Sequence, residues 1–316
     1  MTVTQFKYAL SISKYRSFSK ASELLNITQP ALTLQIKKLE EEIGFILFDR
    51  TRKPLLVTKE GGVFIQKATQ ILNQIDQLYG IAATLEEDIK GILTLGIIPT
   101  IAPYLTPLFM DDLIKNYPQL TLNIKELITE DIIGLLKTGE LDAGIVATPL
   151  QTKGVEFKPL FYEKFYLYVS DKNNFYRRES IKMNELDFSD LWYLNEGNCF
   201  QNQVNALCQI SGKIVQKQNL KYQSNSIESL RYIVEQRGGI AFIPELATLT
   251  VNSDREDMIK SIEGMQPVRE ISLVTSRFVS KQKLIDAFTE VLMENIPSNM
   301  KKIKGGMILD TEIVAD

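Results

Sequence analysis

Residues 28–44 read Thr28-Gln29-Pro30-Ala31-Leu32-Thr33-Leu34-Gln35-Ile36-Lys37-Lys38-Leu39-Glu40-Glu41-Glu42-Ile43-Gly44. Thr28 is a helix-capping residue, and Pro30 falls in the first turn, where a missing N–H costs little. Ala31, Leu34, Ile36 and Leu39 provide an apolar face that carries a helix to about Ile43, and Gly44 ends it. The outer side offers Gln29, Thr33, Gln35 and Lys37. Amides and hydroxyls can read base edges, and a lysine can neutralise phosphate.

Upstream, Phe6, Ala9, Leu10 and Ser13 fall at helical spacing and predict a first helix from about Thr4 to Lys14. Ser17 and Ser19 are good helix starters, Ala21, Leu24 and Leu25 line a short second helix, and Asn26 is a stop. Two helices joined by a tight turn, the second longer and polar outside, describe a helix-turn-helix. Downstream of Gly44, two apolar strands flank a basic turn at Arg50, Arg52 and Lys53, a wing placed to touch a DNA backbone. A small all-helical domain with a surface hairpin is the plainer alternative, but it leaves the polar readers and the basic turn as a coincidence.

Charge supports this division. The chain has 316 residues and a formal net charge of −3. Its first 58 residues hold nine basic and five acidic side chains, a net of +4, which leaves −7 for the rest. A basic head on an acidic body suits an anionic polymer as partner, although chance accounts for an imbalance of this size nearly as well.

The run Ser17-Phe18-Ser19-Lys20-Ala21, then Thr28 to Ile36, Leu39-Glu40, Gly44 and Leu47-Phe48, resembles the winged helix of the LysR-type transcriptional regulators. That resemblance implies major-groove contact by the helix starting near Thr28. The DNA-contacting set it points to is Ser19, Thr28, Gln29, Pro30, Thr33, Gln35, Lys37, Arg50, Arg52 and Lys53.

From Gly62 on, Phe64, Ala68, Ile71, Ile75, Leu78, Ala82 and Leu85 follow alternating steps of four and three, an a/d seam over three heptads. A helix from about Lys59 to Glu87 pairing with a second copy is expected; a helix folded onto its own domain is the alternative. After Gly91, short apolar runs alternate with helical patterns, which predicts parallel sheets in two α/β lobes around a cleft. This is a plan like that of periplasmic binding proteins and of the LysR effector domain. The expected organisation is an α/β protein with a winged helix-turn-helix over 1–58, a linker and dimerisation helix over 59–90, and a regulatory domain over 91–297. Lobe I would take about 91–163 and 268–297, lobe II about 164–267, and 298–316 would be a loose tail. No apolar run is long enough to span a membrane and no secretion signal is visible, so a cytoplasmic protein with no membrane partner is expected.

The chain has no histidine and two cysteines, Cys199 and Cys208. The first fact removes imidazole-based catalysis and most catalytic zinc sites, so neither cofactor nor metal is expected. Asn198 is a fair N-cap, which places Cys199 in a first turn where the helix dipole favours thiolate. Val204, Leu207 and Cys208 share a face, so Cys208 is expected to be buried and inert. Nine positions of continuous helix mean a rise of about 13.5 Å, whereas a disulfide needs Cα atoms within about 7 Å. Joining the two sulfurs therefore requires unwinding, which is a physical basis for a switch. Two packing cysteines with no chemistry is the alternative.

Gly197-Asn198-Cys199 followed by eight residues and Cys208 resembles the peroxide-sensing OxyR branch of the LysR family. So do Gly96-Ile97-Ile98-Pro99-Thr100-Ile101-Ala102-Pro103-Tyr104-Leu105, Leu141-Asp142, Ser226 to Arg231 and Gly239 to Pro244. The resemblance implies that Cys199 is the peroxidatic thiol and Cys208 the resolving one, with Thr100, Thr129, Asn198 and Arg269 around the peroxide. One departure is clear: Asn198 stands where OxyR proteins usually carry histidine, and it cannot be protonated. The function implied is a hydrogen peroxide-sensing regulator that binds double-stranded DNA as a homo-oligomer, a dimer of dimers. RNA polymerase and a glutaredoxin or thioredoxin are implied partners. A LysR regulator answering to a small metabolite in the interlobe cleft is the rival reading. A two-cysteine thiol peroxidase shares the chemistry but leaves the winged helix unexplained, so an enzyme is not expected.

Overall fold

The computed structural model describes residues 1–83, 89–194, 199–210, 224–264, 266–277, 279, 281–303 and 305–315. They form two compact units, one built on the N-terminal elements and the other on residues 89–136, 140–277 and 281 onward.

In the first unit, α1 (Val3–Tyr15) opens on a capping box between Thr2 and Gln5. Helix α2 (Phe18–Leu24) is capped by Ser17, and α3 (Gln29–Ile43) by Thr28, whose hydroxyl accepts from the Ala31 N–H, with Gly44 left-handed at its end. The buried face of α3 is Leu32, Ile36 and Leu39. Ala31 and Leu34, expected inside, are exposed, because the core formed with Ala9, Ile12, Ala21, Leu47 and Phe48 lies on the Leu32 side. The wing is a short antiparallel pair, β1 (Phe48–Asp49) and β2 (Leu56–Val57). Helix α4 (Lys59–Ala83) divides the expected seam. Ala68 and Leu72 pack with Phe6 of α1, beside Phe64 and Leu10, whereas Ile71 and Leu78 stay exposed. The helix thus folds partly onto its own domain. Leu85 lies outside the described residues.

The second unit runs β3 (Gly91–Ile97), α5 (Ala102–Asn116), β4 (Leu120–Glu126), α6 (Thr129–Thr138), β5 (Ala143–Thr148), β6 (Gln151–Thr152) and β7 (Val155–Val169). Then come β8 (Ser180–Lys182), β9 (Leu191–Trp192), α7 (Cys199–Ile210), α8 (Ile227–Arg237), β10 (Ile240–Pro244) and α9 (Glu245–Thr248). It closes with β11 (Ile259–Glu263), β12 (Pro267–Ser276), α10 (Gln282–Asn295), β13 (Met307–Ile308) and β14 (Val314–Ala315). The run Leu220 to Gln223, whose pattern reads as one further short strand, falls outside the described residues.

The sheet is mixed rather than purely parallel, in the order β4-β3-β5-β12-β7-β10-β9. Strands β3, β4 and β5 are parallel, while β12 runs antiparallel to both β5 and β7. The first part of β7 pairs with β12 and its last residues pair with β10 and β11, so one strand serves both halves of the sheet. Helix α10 returns to the opening elements, with Phe288 edge-on to Phe109 of α5 at 5.2 Å.

The C-terminal segment is not loose. Strand β13 pairs with the start of β12 and β14 with β6, and Leu309, Thr311 and Ile313 are buried.

Candidate functional site

Four of the expected residues converge where β3, α6, α7 and β12 meet. Thr100 follows β3, Thr129 opens α6, Cys199 opens α7 and Arg269 lies on β12; all four are buried. Two glycines set the approach of α6. A Cβ on Gly144 would come within 2.4 Å of Ile132 Cγ2, and one on Gly96 within 2.8 Å of Ile132 Cγ1. With neither present, α6 lies close on the sheet and brings Thr129 to the Cys199 thiol as a hydrogen-bond partner.

Arg269 organises the site. Its Nη1 donates to Thr100 Oγ1 at 3.1 Å and its Nη2 to the Thr100 carbonyl at 3.3 Å. Its Nε donates to Glu163 Oε1 at 2.6 Å, the directly opposite residue in the β7–β12 register. The guanidinium also lies over the Phe200 ring, 5.0 Å from the centroid, and that ring stacks on Phe165. The other oxygen of Glu163 accepts from the Leu246 N–H at 3.1 Å. Burial pushes the Glu163 carboxyl up, and Arg269 works against that push.

The thiol is not the ready thiolate that its place in the first turn suggests. Cys199 is only 5% exposed. Burial pushes the thiol up more than Arg269, the Thr129 hydroxyl and the Phe200 N–H pull it down, and Glu130 adds to the upward push. Cys208 is buried, as its face pattern predicts, and burial pushes its thiol up to about 12. Both cysteines are thiols, nine positions apart on one helix. Asn198 lies outside the described residues.

Residues 86–297 match the family described as the LysR substrate binding domain, and residues 3–62 match the bacterial regulatory helix-turn-helix protein, lysR family. The chain belongs to the LysR family.

Within that family it is OxyR-like. It is 33% identical over 274 residues to the hydrogen peroxide-inducible genes activator of Haemophilus influenzae, covering 87% of this chain and 90% of that one. Against the OxyR of Escherichia coli K12, a DNA-binding transcriptional dual regulator, identity is 30% over 247 residues, 78% of this chain and 80% of that one. A full-length OxyR variant from Pseudomonas aeruginosa superposes with a TM-score of 0.78 at 27% identity, covering 94% of this chain and 99% of that one. OxyR from Porphyromonas gingivalis gives 0.64 at 32% identity, over 70% of this chain and all of that one.

In this LysR winged helix, Ser19, Thr28, Gln29, Pro30, Lys37, Arg50, Arg52 and Lys53 are exposed, and Thr33 and Gln35 are half-buried. Not all are equally available. Lys37 pairs loosely with Glu41 at 3.7 Å and Arg52 with Asp49 at 3.8 Å. Arg50 is held against the surface of its own domain: it donates to Glu40 at 2.9 Å and lies 4.9 Å over the Phe18 ring. Glu40 also accepts from the Leu47 N–H, so Arg50 closes a fold-building network.

Sequence reasoning missed Glu163, Phe200 and the C-terminal contacts of α7. Asn202 donates to the Thr311 carbonyl and Gln203 to the Leu309 carbonyl, each at 2.9 Å. A carboxylate inside the run Leu160-Phe161-Tyr162-Glu163-Lys164-Phe165 was the available signal for Glu163, since an acidic residue on a buried strand needs a cation. Among the described residues, no group of three or more Cys, Asp or Glu side chains could hold a metal ion, and no helix is long and apolar enough to cross a membrane.

Proposed function

We propose that this LysR protein senses hydrogen peroxide at Cys199, binds double-stranded DNA as a dimer of dimers, and is switched by a reversible Cys199–Cys208 disulfide. One observation supports this above the others. Cys199 opens a helix, hydrogen-bonds Thr129 and shares its pocket with a buried guanidinium, and the second cysteine lies on the same helix.

The chemistry follows from those groups. The Cys199 thiolate attacks one peroxide oxygen and the O–O bond breaks. The sulfur becomes sulfenic acid, and the departing hydroxide takes a proton to leave as water. Thr100, Thr129 and Asn198 are the groups that would hold the peroxide, and Arg269 would favour both thiolate and leaving hydroxide. The Cys208 thiolate then attacks the sulfenic sulfur, expelling a second water and closing the disulfide. Two thiols have lost two electrons to one peroxide. A dithiol reductant of the glutaredoxin or thioredoxin class would return them, and RNA polymerase would receive the signal.

Closure demands unwinding, because α7 separates the two Cα atoms by about 13.5 Å of helical rise. That remodelling is what DNA-bound subunits would feel. The test is mass-spectrometric thiol mapping before and after one equivalent of peroxide, beside a DNA footprint of both samples. A Cys199–Cys208 crosslink with an altered footprint is expected. Both thiols still alkylatable after peroxide would reject the reading, and undiminished regulation by a Cys199→Ser variant would favour a metabolite in the cleft.

A further inference from the structure

Glu163 and Arg269 face each other across β7 and β12, both fully buried. A lone buried guanidinium beside a thiol draws it strongly towards thiolate, whereas one that shares its charge with a carboxylate draws it less. The same contact fixes orientation. With Nε and Nη2 both on Glu163 Oε1 at 2.6 Å, the planar fork turns Nη1 to the Thr100 hydroxyl, keeps Nη2 within 3.3 Å of the Thr100 carbonyl and sets its face on Phe200, the residue after Cys199. Among the described residues, the charged groups around the sulfur are Arg269 from β12 and Glu130 from α6. Those around Glu163 are Arg269 and Glu245 from α9, and Glu245 is itself occupied by the Lys164 N–H and the Asn299 side chain.

We propose that Glu163 is a positioning residue for the reaction at Cys199: it holds Arg269 in place and offsets its charge, so that the resting thiol reacts slowly and the sensor's threshold is set high. This rests on the peroxide-sensing reading above.

The experiment uses the full-length protein in a Cys208→Ser background, where closure cannot occur. The rate of Cys199 alkylation by iodoacetamide is followed against pH, with near-ultraviolet circular dichroism to establish folding. Glu163→Gln keeps the shape and a hydrogen-bond acceptor but frees the guanidinium charge, so the midpoint of the profile is expected to move down. Lowering the midpoint by about one pH unit raises the thiolate fraction about tenfold. It lowers intrinsic nucleophilicity about threefold, for a net gain of about threefold near neutral pH.

The double variant Glu163→Gln with Arg269→Gln removes both charges and is expected to raise the midpoint above that of the parent. A carboxylate that served packing alone would give Glu163→Gln an unmoved midpoint. A folded Glu163→Gln protein with an unmoved or raised midpoint overturns the proposal. Should that variant fail to fold, the double variant decides: replacing both members of a buried pair is better tolerated than orphaning one, and an unmoved or lowered midpoint in it overturns the proposal. Alkylation needs no peroxide, so an absent Cys199–Cys208 crosslink would reject the functional reading while leaving this result to stand.

Discussion

Gln203 on α7 donates its side-chain N–H to the main-chain carbonyl of Leu309, 2.9 Å away and 106 residues later in the chain. With the neighbouring bond from Asn202 to Thr311, it ties the helix between the two cysteines to the C-terminal segment. That segment is anchored in turn, because Leu309 N–H donates to the Val268 carbonyl and the Thr311 hydroxyl to the Pro149 carbonyl.

Any unwinding of α7 that moves Asn202 and Gln203 has to break these bonds. Each contributes about 0.5–1.5 kcal/mol net. Asn202→Ala removes one of them from a half-buried position. It is expected to accelerate disulfide closure about fivefold while leaving the sulfenylation of Cys199 unchanged. Rapid-quench thiol trapping measures closure, and dimedone labelling in a Cys208→Ser background measures sulfenylation. Equal closure rates in the variant and the parent would show that the tail does not restrain the helix.

The helices of both units are legible in the sequence because their signals are local. Caps at Ser17, Thr28 and Ser226 and the stops at Gly44 and Gly238 lie within a turn of the ends that they set. What stays hidden depends on partners far along the chain. The early part of β7 carries Glu156, Lys158 and Lys164 and does not read as a strand until β12 is beside it. The buried face of α3 is misplaced because Leu32 and Leu34 are equally apolar, and only the position of α1 and α2 decides between them. Thr100, Thr129 and Arg269 are identified by family resemblance, not by their spacing. The state of Cys199 is misread for a related reason: helix position is visible in sequence, whereas the burial that outweighs it is tertiary.

Thr129 hydrogen-bonds the sulfur and lowers its pKa. Thr129→Val keeps the volume and removes that bond, so the thiol is expected to rise further. A hydrogen bond to a charged group is worth about 1.5–3 kcal/mol, which corresponds to roughly tenfold or more in thiolate fraction. Because a higher pKa also raises intrinsic nucleophilicity about threefold, sulfenylation of Cys199 at neutral pH should slow about threefold or more, as read by dimedone labelling. A rate equal to that of the parent would remove Thr129 from the reactive site.

Cys208 makes stability depend on alkaline pH. Its folded thiol is pushed up to about 12, whereas an unfolded thiol titrates near about 8.5. Between these limits the folded state binds the extra proton, so stability is full below the unfolded value and falls as pH rises through the window. Cys208→Ala is expected to flatten the fall of urea-unfolding stability between pH about 9 and 11 relative to the parent. An identical slope in both proteins would contradict the assignment.

The three wing cations should separate into two kinds. Lys53 is exposed and has no ion-pair partner among the described residues, and Arg52 is held only by a 3.8 Å contact to Asp49. Replacing either by alanine should lower DNA affinity across sequences and reduce the magnitude of the salt slope by about one. Arg50 is different, because its guanidinium lies over Phe18 and on Glu40, whose carboxylate also holds the Leu47 N–H. Arg50→Ala is therefore expected to lower the melting temperature of the winged helix by a few degrees, with a smaller change in salt slope than Lys53→Ala. Fluorescence anisotropy on a DNA duplex at several salt concentrations, paired with thermal melts of the same proteins, distinguishes the two. If Arg50→Ala changed the slope as much as Lys53→Ala and left the melt untouched, Arg50 would be a phosphate ligand and the contact with Glu40 would be incidental.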